Sequence, residues 1–278
     1  MAFLIYLLLF YKMNKYNRDM KKNYLYCSLS LLALLLSSCG GGRGRTSKST
    51  SQSSSGDYSL PQGELSFSEY KRIVLNAVEV EKAKMSKVTY NPGESQPISI
   101  TTRYNDGYYQ SYQDVSSMNL GYNEVSIYAY STHNFEHNYY AYEVDGQITG
   151  SINEYVSTEE ENDNYIFTFG YGQIGISPAA FIACYSGIGV AGLDQVEINE
   201  ITASGNHLSF IMDNYANSEG MKLFINVDIN SFGGFETVEM RFKNNEMYPE
   251  NVLIRMSSEF ETRDNPPQKL IDLFMLYN

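Results

Sequence analysis

Apolar and polar residues recur along this chain with two different periods, and each change of period marks an element. Residues 65–87 carry Tyr70, Ile73, Val74, Ala77, Val78, Glu81 and Met85 at helical spacing, with charged residues between them and Ser66 or Ser68 placed to cap the start. That pattern predicts an amphipathic helix. After Asn91-Pro92-Gly93 the period drops to two. Residues 98–104 and 108–114 flank Asn105-Asp106-Gly107, a hairpin signal. Residues 122–130 and 138–144 continue the strand pattern, Asp145-Gly146 turns the chain into 147–156, and 165–169 reads as a strand beyond the acidic loop 159–164. Ser177-Pro178 has the form of an N-cap and first helical position. It opens a short helix from Ala179 to about Tyr185, broken by Gly187 and Gly189. Residues 196–201, 207–213, 221–229, 236–242 and 252–260 then form a meander with polar turns. Pro266 or Pro267 starts a last helix ending at Leu276, with Leu270, Leu273, Phe274 and Tyr277 on one face.

These elements predict an α+β fold: one antiparallel sheet of about nine or ten strands, with an N-terminal helix, a short mid-chain helix and a C-terminal helix. A sheet of that size is expected to curl. The expected shape is therefore half-barrel-like, a large curved sheet that wraps a helix or encloses a cavity.

The chain before residue 61 follows another logic. Residues 2–11 form an apolar run too short to span a bilayer, and a polar break at 12–19 follows. Residues 1–19 read as an extension before the true start, at Met13 or Met20. Lys21 and Lys22 then precede an apolar run at 24–36, also too short to span, which exits through Leu36-Ser37-Ser38-Cys39 into Gly40-Gly41-Gly42. A positive start, an apolar middle and a small-residue exit form an export signal. With cysteine at the exit, residues 20–39 resemble the lipobox of bacterial lipoproteins. The resemblance implies removal of residues 20–38, a diacylglyceryl thioether on Cys39 and acylation, as by palmitate, of the new amino group. It also implies a cell-membrane or outer-membrane address, with the domain facing the extracytoplasmic side. Two or more acyl chains anchor stably where one is marginal. Residues 39–60 read as the lipidated cysteine and a disordered Gly/Ser/Thr tether, and 61–278 as a single globular domain. Cys184 is then the one thiol left in the domain, which excludes an intramolecular disulfide there.

Charge sharpens the picture. Eight of the 20 Lys and Arg and two of the 32 Asp and Glu precede residue 61, so the domain carries 12 cations against 30 anions, a formal −18. No Lys or Arg occurs between Arg103 and Lys222, where 16 Asp and Glu lie. Such a surface repels nucleic acid and anionic lipid, which excludes nucleic acid as a partner. The order of elements is similar, in architecture alone, to the lipid-carrier half-barrels of envelope lipoproteins. No residue motif carries over from them.

The candidate chemistry is sparse. His133-Asn134-Phe135-Glu136-His137 is an H-x-x-E-H string similar to the inverted zinc-protease motif, which would make His133 and His137 metal ligands and Glu136 the general base. That chemistry needs a helix, whereas the neighbouring residues read as turn and strand. Residues 159–164 offer hard oxygen ligands but lack the spacing of a calcium loop. Tyrosine is concentrated between Tyr104 and Tyr215, where 15 of the domain's 19 lie. Tyr128 with Tyr130, and Tyr140 with Tyr142, can each share a strand face and form an aromatic ligand-binding surface. The glycine runs 170–175 and 187–192 lack the lysine of a phosphate loop, and no Gly-x-Ser-x-Gly occurs in the domain. The sequence calls for no cofactor. Its leading reading is a non-enzymatic binding domain on a membrane anchor, for an apolar or amphipathic ligand or a protein partner. The alternatives are a metal-assisted hydrolase using His133, Glu136 and His137, and an adhesive surface protein with an exposed tyrosine face.

Overall fold

The computed structural model of the protein describes residues 58–91, 98–118, 121–132, 137–156, 177–186, 188, 197–213, 222–243 and 253–277. The amphipathic run at the start of the domain forms helix α1 (Phe67–Lys84). Ser66 Oγ accepts the Glu69 N–H at 3.3 Å and Glu69 Oε2 accepts the Ser66 N–H at 2.9 Å, a reciprocal capping box. The helix stops at Lys84 because Met85 turns extended (φ −63°, ψ 126°). The residues released by that stop become a strand, β2 (Lys87–Asn91).

Around α1 the chain lays down β1 (Gly63–Glu64), β2, β3 (Ser99–Arg103), β4 (Tyr108–Asp114), β5 (Glu124–Ser131), β6 (His137–Val144) and β7 (Gln147–Val156). Helix α2 (Pro178–Tyr185) follows, then β8 (Glu197–Ser204), β9 (His207–Asp213), β10 (Lys222–Ile229), β11 (Phe235–Lys243), β12 (Leu253–Glu259) and α3 (Gln268–Phe274). All twelve strands join one antiparallel sheet in the order β1-β8-β9-β10-β11-β12-β2-β3-β4-β5-β6-β7. Two meanders, β2–β7 and β8–β12, are thus sewn together where β12 pairs with β2, from Arg255↔Asn91 to Glu259↔Lys87.

The fold class is the expected one, with two corrections. The described sheet has twelve strands where about nine or ten are predicted from the pattern. Two strands leave no signal in the pattern: β1, two residues held by Gly63↔Ala203 and Glu64↔Thr202, and β2, whose Lys87 falls in the expected helix and whose residues 88–91 fall in no expected element. The predicted strand 165–169 lies outside the described residues. The sheet is also open, with β1 and β7 at its edges, and neither closed nor strongly curled as the half-barrel expectation required.

The reason is the placement of the helices. From α1 and α2, Tyr70, Ile73, Val74, Ala77, Ala179 and Ile182 pack on one face of the β8–β12 half, against Phe210, Met212, Ile225, Val227, Val238 and Met256. Helix α3 packs on the opposite face of the other half, with Leu270 and Phe274 against Tyr108, Tyr128, Tyr130 and Ala141. Tyr109 pairs with Arg103, on the face carrying α1, and its neighbour Tyr108 therefore points to the α3 side. Apolar cover is laid on both faces, so no single concave side collects the helices.

The hairpin signals locate their turns correctly. Asp145 and Gly146 take positive φ (45° and 78°) between the paired Val144 and Gln147. Asp106 and Gly107 do the same (58° and 78°) between β3 and β4. A Cβ at Gly107 would stand 2.3 Å from the Ser131 backbone oxygen, while Gly205 (φ 62°) has open space around it. Gly107→Ala should therefore cost about 3 kcal/mol in urea unfolding, and Gly205→Ala about 1 kcal/mol, the strain of left-handed backbone alone.

Candidate functional site

Glu81 occupies a position on α1 where helical spacing calls for an apolar side chain, and it is fully buried there. Its carboxylate accepts the Ala179 N–H on both oxygens (3.3 and 3.0 Å) and the Phe235 N–H on Oε1 (3.1 Å), with Ser177 as a further side-chain partner. Ser177 caps α2, its Oγ accepting the Ala180 N–H at 3.0 Å. One carboxyl group thus ties α1 to the start of α2 and to the first residue of β11. Burial pushes it up to about pKa 7, against the lowering pull of these hydrogen bonds and of the Arg103 charge.

Arg103 completes the junction from β3. It is 3 % exposed, and it donates to the Glu81 carbonyl at 2.7 Å and the Lys82 carbonyl at 3.0 Å. Arg263 donates to the Lys82 and Met85 carbonyls (2.8 and 3.0 Å), so two guanidinium groups satisfy the C-terminal carbonyls of α1. Burial pulls Arg103 down to about 10, which leaves it charged at neutral pH.

Beyond this junction the helix-bearing face changes chemistry. The β8–β12 half is aliphatic and aromatic. Across the seam, the paired registers put Ser258, Val88, Thr101, Ser111, Ile127 and Tyr142 in one row of that same face. Ser99, whose hydroxyl lies 3.1 Å from that of Ser111, flanks the row on one side. On the other, Ser131 donates to Asn138 Oδ1 at 2.8 Å. Ser99, Thr101, Ser111, Ser131, Asn138 and Ser258 are all buried, beside Ile127, Ala129 and Tyr140. Among them, Ser258 Oγ is buried with no hydrogen-bond partner among the described residues. This is a mixed floor of small hydroxyls and methyl groups.

The four tyrosines singled out from sequence do not form one surface. Tyr128 and Tyr130 lie under α3, 3 % and 9 % exposed, while Tyr140 and Tyr142 lie on the other face, where they pair with Ala129 and Ile127. Tyr128 OH donates to Glu143 at 3.1 Å and accepts from Lys269 Nζ at 3.0 Å, and Lys269 also pairs with Glu143. This cluster fastens α3 to β5 and β6, and both hydrogen bonds raise the Lys269 ammonium above its ordinary value. Outward from it, the Tyr277 and Tyr139 rings meet at a tilt of 35° with centroids 4.4 Å apart, and Tyr139 stacks on His137 at 6.4 Å.

His137 opens β6, and its Nδ1 lies 2.8 Å from Glu154 Oε1. His133, Glu136, Cys39 and the acidic loop 159–164 lie outside the described residues. Among the described residues no group of three or more His, Cys, Asp or Glu is placed to hold a metal, and no helix is long and apolar enough to cross a membrane. On the exposed face of the other half, Asp228 accepts from Thr237 Oγ1 (2.6 Å) and meets His207 Nδ1 (3.0 Å), a cross-strand row with both carboxylate oxygens engaged. Sequence reasoning placed Glu81 on its helical face without seeing its role. The signal was there, in a carboxylate at an apolar position of an amphipathic helix.

Glu81→Ala, which strips the buried Ala179 and Phe235 amides of their acceptor, should cost about 3 kcal/mol of unfolding free energy. Tyr128→Phe should cost about 1 kcal/mol in the same measurement, because Lys269 is half exposed and keeps Glu143. No protein-family model matches the chain, and no curated protein matches it.

Proposed function

We propose that this protein is a membrane-anchored bacterial lipoprotein whose acidic domain is a binding module for an amphipathic ligand. The lipobox-like stretch ending at Cys39 supports the anchor, and the Gly/Ser/Thr-rich residues after it would supply a tether up to Tyr58, whose N–H meets the Ser231 carbonyl at 2.8 Å, and Leu60, which is buried in the core. Lipid and tether hold the domain near the membrane, while its formal −18 charge is repelled by an anionic lipid surface. The domain then works in the aqueous space on the extracytoplasmic side.

The observation that carries the binding reading is the row Ser258, Val88, Thr101, Ser111, Ile127, with its orphan Ser258 hydroxyl. A purely structural face would be filled by aliphatic side chains, as the β8–β12 half of the same face is. Small hydroxyls interleaved with methyl groups suit a ligand with apolar length and hydrogen-bonding groups. A buried hydroxyl without a partner costs stability, which a ligand acceptor or donor would recover.

Organic extraction of the purified full-length protein, followed by mass spectrometry, should release a stoichiometric amphipathic molecule. Ser258→Ala should lower its occupancy several-fold while leaving unfolding free energy unchanged or raised by about 1 kcal/mol. An extract free of any such molecule refutes the binding reading. Cys39→Ser should in addition abolish palmitate incorporation and leave the protein in its unprocessed form.

A further inference from the structure

The turn 230–234, between β10 and β11, is a hydrogen-bonded frame that holds an aromatic ring in solvent. Asn230 Oδ1 accepts the Phe232 and Gly234 N–H groups at 2.9 and 3.0 Å. The Asn230 N–H reaches the Gly234 carbonyl and the Gly233 N–H returns to the Asn230 carbonyl, both at 2.9 Å. At the tip Phe232 stays 47 % exposed, with the Lys84 ammonium 4.0 Å from its ring centre. We propose that this turn and the adjoining ridge of α1 form the face by which the domain docks on an anionic lipid surface.

The ridge is Arg72, Asn76, Val80 and Lys84, spaced four apart along one line of the helix. Asn76 donates to the Gly233 carbonyl at 3.5 Å, and a Cβ on Gly234 would stand 3.1 Å from Val80. Arg72 lies toward Tyr58: burial raises the Tyr58 phenol, and the Arg72 charge pulls it back. Tyr58 is the first residue described, and its N–H meets the Ser231 carbonyl of the same turn. A chain held at the membrane through Cys39 would therefore enter the domain beside the exposed ring. That point rests on the anchor reading above, whereas the charge argument does not.

Charge is graded from one end of the sheet to the other. Helix α1 carries Lys71, Arg72, Lys82 and Lys84, four of the domain's 12 cations. Against them stand the exposed Glu79 and the Glu69 held in the capping box, with Glu81 buried and an exposed Glu236 just past the turn. At the other end, residues 108–156 hold six Asp and Glu and no Lys or Arg, and Lys269 of α3 pairs with one of the six, Glu143. An anionic surface repels that end most and α1 least, so the domain stands with its acidic half away from the lipid. The Phe232 ring and the aliphatic stem of Lys84 then enter the headgroup layer, where side chains with an apolar body and a charged tip are favoured.

Each cation brought near such a surface strengthens association roughly fivefold, about 1 kcal/mol, and the effect fades within a Debye length. The two cations of the ridge together are worth roughly 30-fold. A tether fixes nearness and not orientation, so a bias of that size decides which way the domain faces.

The sequence contains no tryptophan, so Phe232→Trp and, on the far edge strand β7, Ile148→Trp each supply a single reporter. The full-length protein is reconstituted with vesicles of phosphatidylglycerol bearing brominated acyl chains, and separately with neutral phosphatidylcholine vesicles brominated in the same way. On the anionic vesicles the reporter at position 232 should be quenched and shifted to the blue, while that at 148 emits as in buffer. Arg72→Glu with Lys84→Glu should lower the docked-to-free ratio at least roughly 30-fold, and neutral vesicles should likewise weaken the signal at 232. All four side chains are exposed, so urea unfolding of each variant should match the parent. No quenching at 232, equal quenching at both positions, or a signal at 232 indifferent to lipid charge and to the double reversal would each overturn the docking face. The mass of the same preparation reads acylation: an unacylated chain refutes the anchor, and the contrast between 232 and 148 is then read at excess lipid.

Discussion

The pairing of β12 with β2 is the contact on which the architecture depends. Each meander could form locally, since each of its strands pairs with the next in sequence, but β12 and β2 lie at opposite ends of the domain sequence. Their register sets which side chains of one half share a face with which of the other. Met256 opposite Tyr90, and Ser258 opposite Val88, align the aliphatic face under α1 and α2 with the hydroxyl-bearing face of β3 and β4. A slip of one residue would turn Val88 and Tyr90 toward solvent and invert every strand beyond them. The closure also spans most of the domain, so its loop entropy must be met by the contacts it makes possible.

Those contacts cluster at the end of the seam. Met85 and Ser86 lead from α1 into β2, and the Ser86 carbonyl and hydroxyl engage Arg103 of β3 and the chain leaving β12. Arg103 and Arg263 close the C-terminus of α1 from either side of that crossing. After Arg263 the chain passes the end of the sheet, where Asn105 binds the Arg263 and Asp264 carbonyls, and reaches the opposite face as α3. The change of face that keeps the sheet from becoming a half-barrel is thus anchored by the same arginines that cap α1. Glu81 is the acidic member of this assembly, and its burial is tolerable because donors from two other elements converge on it.

Much of this was legible in the chain because the signals were local. The capping Ser66, the helical stripe from Tyr70 to Glu81, the left-handed Asp106-Gly107 and Asp145-Gly146 turns and the Ser177-Pro178 helix start all act within a few residues. The exceptions were short or non-local. Strand β1 exists because Gly63 and Glu64 meet β8, and β2 exists because β12 offers it an edge. The tyrosine faces were legible in pairs but not in relation to one another, since alternation fixes only which neighbours differ. That Tyr128 and Tyr130 face α3 while Tyr140 faces the other way depends on pairing across β5 and β6.

By itself, then, the sequence determined the helices, most of the strands, the acidity of the chain beyond residue 60 and the antiparallel class. Periodicity, turn chemistry and charge act over distances shorter than an element, so they need no knowledge of the partner. The tertiary structure alone decided that the sheet is open with helices on both faces. It brought the Glu81 carboxyl to the Ala179 and Phe235 amides, and it aligned Ser258 with Thr101 and Ser111. Those outcomes turn on one long-range register. A register is a property of two strands together, and neither strand's residues state it alone.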